Sequence, residues 1–160
     1  MPTNPLARLI DVIQPSLAMY LADCGLWTYP GPEEIRLAVA ALVADQRNLL
    51  DRATIVLEER QQVRPRVAYP ISFSGWHDVD LGYILPRVME GLERQRTELE
   101  RLATVTDDAA AADLVADAVR SVRQHLDALR DALPRPAPVA AVTAPAGSAA
   151  EPPAATSAAS

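Results

Sequence analysis

Apolar residues recur every three or four positions through most of residues 4–133, and the breaks in that rhythm divide the stretch into four predicted helices. In the first, Leu6, Ile10, Ile13, Leu17, Tyr20 and Cys24 form one seam. Asn4 before Pro5 is a good start, since asparagine caps free amides and proline at the first helical position loses no hydrogen bond. Pro15 predicts a kink, because it removes one backbone bond and crowds the carbonyl of Asp11, and Gly25 supplies a left-handed stop. The second helix opens at Pro32, with Glu33 and Glu34 at the positive end of its dipole, and runs to about Arg60 on a seam that includes Leu42, Gln46 and Leu49. The third is expected from an Asp78 cap to about Leu102, with Leu85, Val88, Leu92, Gln95 and Leu99 inward; Pro86 either bends its start or delays it. After a short turn capped at Thr106 or Asp107, the fourth carries Val115, Ala118, Val122, His125 or Leu126, and Leu129.

Between the second and third helices lies QQVRPRVAYPISFSGWH, residues 61–77, too irregular and proline-punctuated to join either. An antiparallel helix pair needs only about 2 to 8 connecting residues. A linker of this length just spans a helix of roughly 40 Å. The chain is therefore expected to return along the bundle, which leaves the second and third helices parallel. From Pro134 onward proline, alanine and small polar residues replace the periodic pattern. The expected organisation is an all-α four-helix bundle over residues 1–133 and a disordered tail over 134–160.

Composition removes several functional classes. The net charge is −6, and all 15 basic residues are arginines, so nothing suggests a basic field for nucleic acid or an anionic membrane. Cys24 is the only cysteine, which excludes an intrachain disulfide and a cysteine-based zinc site. The opening residues lack signal-peptide order and no apolar run reaches membrane-spanning length, so a cytoplasmic protein without a membrane partner is expected.

Two hairpins with the short turns LWTYPGP and TVTDD, joined by one long crossover, resemble the ferritin-like four-helix bundle superfamily over residues 4–133. The resemblance is one of helix plan. The glutamates and Glu-x-x-His motifs that hold two metal ions in that superfamily are absent, and the chain has only 2 histidines. Counting levels along the helices places Gln46 and Gln95 in one layer, with Asp11 and Asp117 near the same height. These four are the candidate metal positions, and such a donor set suits a hard cation better than iron. The alternative is a buried glutamine pair satisfied by mutual hydrogen bonds, beside two exposed aspartates.

Other residues carry weaker chemistry. His77, Asp78 and Asp80 sit together without a nucleophile or oxyanion partner; His125 reads as a core-edge histidine and Cys24 as a small buried hydrophobe. Trp27, Tyr29, Phe73, Trp76 and Tyr83 are expected to gather at one end, either as a second core pinning the crossover or as a partner or ligand platform. The reading that follows is a non-enzymatic ferritin-like bundle without cofactor or catalytic residue, acting as a protein interaction or structural module, self-association included. The alternative is a divergent ferritin-like metal-binding protein or oxidoreductase.

Overall fold

The computed structural model describes residues 4–134 and is all-α, without strands among those residues. Five helices follow one another: α1 (Pro5–Ile13), α2 (Leu17–Asp23), α3 (Glu33–Glu59), α4 (Leu81–Thr104) and α5 (Ala109–Ala132). Two short 3₁₀ segments, Leu26–Thr28 and Ile71–Trp76, lie in the connections. The expected tail, 134–160, falls outside the described residues apart from Pro134. Among the described residues, no helix is long and apolar enough to cross a membrane.

The expected first helix is broken, not kinked. Pro15 offers no N–H to continue the ladder, and Ser16 then leaves the helix at φ −78° and ψ 151°. Its hydroxyl accepts the Met19 N–H, so the residue that ends one helix caps the next. At the start of α1 the Asn4 side chain accepts the Leu6 N–H at 2.9 Å, with Pro5 in the first turn.

Two other caps differ from expectation. Asp80, not Asp78, caps α4 by accepting the Gly82 N–H at 2.8 Å. Asp78 sits at φ 59°, where it turns the chain before the helix begins. Pro86 lies inside α4. Helix α5 is capped by Asp108, which accepts the Ala111 N–H at 3.1 Å, and not by Thr106 or Asp107. Thr106 instead donates its hydroxyl to the Leu102 carbonyl, closing the end of α4.

Packing follows the seams. Helix α3 packs on α5, α5 on α4, and the broken pair α1 and α2 on both α3 and α4, whereas α3 and α4 barely meet. Arg60 with Asp108, Arg52 with Asp117 and Asp45 with His125 make α3 and α5 antiparallel, and Glu93 with Arg130 and Glu100 with Arg123 do the same for α4 and α5. Leu6, Ile10, Leu42, Leu57, Leu85 and Val115 are among the fully buried side chains between them. The strap, residues 61–80, is fastened to the broken pair by side chains. Arg64 donates to the Gln14 side chain and Tyr69 to Asp23, and the Leu81 N–H donates to the Pro30 carbonyl at 2.8 Å. Helix α4 therefore starts beside the start of α3.

Arginine partners hold three carboxylates below the usual range. Hydrogen bonds from Arg60 lower Asp108, those from Arg52 and then Arg120 lower Asp117, and one from Arg123 lowers Glu100. A carboxylate whose folded pKa is depressed stabilises the fold above its unfolded value of about 4, and that contribution is lost as pH falls through the lower folded value. The thermal midpoint is thus expected to fall on acidification below about pH 4, more steeply at low salt because these pairs are solvent-exposed. Calorimetry across that range should show a shallower acid slope for Asp117→Asn.

Candidate functional site

The break at Pro15 leaves carbonyls at the end of α1 without helical partners, and the bundle answers with a buried polar chain. Ser16 donates its hydroxyl to Gln46 Oε1 at 3.0 Å, and Gln46 Nε2 donates to Gln95 Oε1 at 3.0 Å. Gln95 Nε2 in turn donates to the Val12 carbonyl at 3.0 Å and the Ile13 carbonyl at 3.3 Å. Gln46 and Gln95 are 1 % and 6 % exposed, so these amides have little water to fall back on. The two glutamines meet, but each oxygen is already engaged by a donor.

Outside this chain, between the broken pair, α4 and the strap, opens a cleft of ≈ 620 Å³. That is the size of a small-molecule site. The stretch from Arg87 to Glu98 lines one side over roughly 16 Å of helix. Val88 and Leu92 line the cleft apolarly, Phe73 and Trp76 line it from the strap, and Asp11 lines it from α1. The rim arginines are spoken for: Arg8 reaches Glu98 at 3.3 Å, and Arg87 and Arg94 share Glu90 at 3.1 and 3.4 Å. Asp11 is half-buried and has no hydrogen-bond or ion-pair partner among the described residues.

Gly91 also lines the cleft, and a Cβ built there would meet no atom within 4 Å. Glycine inside a helix carries an entropic cost without serving any turn here. Gly91→Ala is expected to stabilise the protein by about 0.5 to 1 kcal/mol, a rise in midpoint of a few degrees by scanning calorimetry.

The four candidate metal positions do not converge. Asp11 lies at the level of Gln95, whose amide bonds the next carbonyl, that of Val12. Asp117 does not: the clasp of Arg60 on Asp108 sets the start of α5 against the end of α3, which brings His125 level with Asp45 and Gln46. Asp117 is about 12 Å further along the helix, held by Arg52 and Arg120. Among the described residues no three histidine, cysteine, aspartate or glutamate side chains come together as a ligand set.

The histidines are tied to single partners. His125, buried in the seam between α5 and α3, has Nε2 2.7 Å from Asp45 Oδ2. His77 has Nε2 2.7 Å from the Tyr20 hydroxyl, and Asp80 is occupied as a cap. Cys24 is half-buried at the end of α2.

The aromatic rings pair in separate groups. Tyr20 is the hub of the larger group, with ring centroids 5.3 Å from Tyr69, 5.6 Å from Phe73 and 5.7 Å from His77. Burial, and then its hydrogen bond to Asp23, push the Tyr69 hydroxyl above the ordinary tyrosine range. Trp76 pairs with Tyr83 at 6.4 Å. Trp27 stands apart, with the Arg36 guanidinium over its ring, 5.9 Å from the centroid. Tyr29 is buried, its hydroxyl has no partner among the described residues, and burial raises its pKa. In the sequence Tyr20 is one more apolar position of the first seam, which conceals its place as the hub. Pro15 followed by Ser16 was the legible signal for the break, because serine is a preferred cap.

A scan of the chain against protein-family models found no match, and searches of curated proteins and of solved structures found none either.

Proposed function

We propose that this chain is a non-enzymatic four-helix bundle of ferritin-like topology, with α1 and α2 counted as one broken helix, that serves as a protein interaction module. The topology is supported by the strap, which acts as a single crossover between an α1–α3 hairpin and an α4–α5 hairpin, and by the antiparallel pairing around the bundle. The observation that carries the interaction reading is the exposure of large apolar side chains on the first loop, the strap and the start of α4. Trp27 is 64 % exposed, Tyr83 72 % and Ile71 91 %. Exposed aromatic side chains of this kind are typical anchors of protein contacts. The free Cys24 fits a reducing, cytoplasmic setting. The non-enzymatic part is supported by the two histidines, whose hydrogen-bond partners are the Tyr20 hydroxyl for His77 and the Asp45 carboxylate for His125, not a serine or cysteine.

Self-association or partner capture is expected for the full chain and should be lost in a Trp27→Ser, Tyr83→Ser double variant. Sedimentation velocity and affinity capture measure the loss, and an unchanged thermal midpoint keeps it from being a folding defect. Equal association of both proteins would remove this surface from the reading. Iron, manganese or zinc at stoichiometric level after dialysis would remove the non-enzymatic part.

A further inference from the structure

The charges around the cleft are unevenly satisfied. Glu98 is met by Arg8 and Arg101, and Glu90 by Arg87 and Arg94, so each rim glutamate has two guanidinium partners. Asp11, half-buried in the same cleft, has none. The nearest arginine along its own helix, Arg8, is held by Glu98 at 3.3 Å. The aromatic residues on the strap side, Phe73 and Trp76, line the cleft, and aromatic rings attract a positive charge placed over them. Val88 and Leu92 at the back of the cleft are buried in the core, so the apolar surface open to a hydrocarbon body is that of the half-buried Phe73 and Trp76, and the bare Gly91 leaves room for it.

From these we infer that the cleft is a binding site for a small organic cation: an ammonium group paired with the Asp11 carboxylate and carried on an aromatic or aliphatic body that packs against Phe73 and Trp76 beside Gly91. The inference does not rest on the interaction reading. An anion would meet arginines already bound to carboxylates and a free carboxylate that repels it. A divalent metal would need further oxygen or nitrogen ligands, and no three acidic, histidine or cysteine side chains converge among the described residues. An organic cation needs one carboxylate and aromatic walls, which are the groups the cleft brings together.

The test uses the full chain carrying Trp27→Phe, an exposed position, so that Trp76 is the only indole. Phenethylammonium is titrated while Trp76 emission is followed, with calorimetric titration as a second readout and phenethyl alcohol as the neutral probe of similar shape. Phenethylammonium is expected to bind saturably and at least about tenfold more tightly than the alcohol. Asp11→Asn should abolish that preference without moving the thermal midpoint, because the carboxylate makes no bond within the described residues. Gly91→Leu, which fills the cleft in a helix-compatible way, should abolish binding of both probes. No saturable binding, equal affinity for the two probes, or an undiminished preference in Asp11→Asn would each overturn the proposal.

Discussion

Gln95→Leu is expected to destabilise the protein by about 2 to 4 kcal/mol, because the change strands several buried groups at once. The Gln95 amide nitrogen serves the Val12 and Ile13 carbonyls, and its oxygen takes the amide of Gln46. Leucine is close to glutamine in volume, so packing loss is small and the cost is that of unmet polar groups. A thermal midpoint lowered by roughly 10 °C follows for a domain of this size. Gln46→Leu should cost less, about 1 to 3 kcal/mol, since the Gln95 bonds to the α1 carbonyls survive it. The double variant should cost clearly less than the sum, a coupling readable by denaturant melts of the four proteins. Strict additivity would mean that the two amides do not exchange a hydrogen bond.

Gly31→Ala is the second substitution with a large expected effect. Gly31 has φ 137°, a conformation that residues with a Cβ rarely adopt, so strain alone costs about 1 to 3 kcal/mol. A Cβ there would also come within 2.9 Å of Leu81 Cβ and 3.0 Å of the Leu81 backbone nitrogen. That nitrogen donates to the Pro30 carbonyl, so relief of the clash requires the start of α4 to move off the first loop. Together these should lower stability by about 3 kcal/mol or more. Gly25→Ala provides the comparison: φ is 93° but the nearest atom, Thr28 Oγ1, is at 3.4 Å, so strain acts without collision and the loss should be smaller. Chemical denaturation of both variants separates the two terms.

The contrast between these positions shows what the chain discloses by pattern and what it does not. The seams were legible because a 3.6-residue period exposes itself: Leu42, Gln46 and Leu49 are buried, as are Leu92, Gln95 and Leu99. Two glutamines inside apolar seams were for the same reason visible as a layer. The choice among Asp78, Asp80, Thr106, Asp107 and Asp108 as caps was not visible, because neighbouring acids differ only in the backbone angles that tertiary contacts impose. The level of Asp117 failed in the same way, since the register of α5 is set by the clasp of Arg60 on Asp108 and not by helix lengths. The cleft was invisible altogether. It exists because a broken helix, a helical glycine and a strap meet, three features that lie in different elements of the chain and have no joint signature in it.

Residues 61–80 are the only covalent link between the part of the described chain that ends with α3 and the part that begins with α4. Val63 near their start is 91 % exposed. The anchors at Tyr69, Phe73 and His77 all lie beyond that point. A chain severed at Val63 would keep every one of these anchors on the second fragment, together with the half of the core that α4 and α5 contribute. What it would lose is the tether, worth an effective concentration in the millimolar range for a short linker. The protein is therefore built as two complementary halves, and fragments 4–63 and 64–134 should reassemble when mixed.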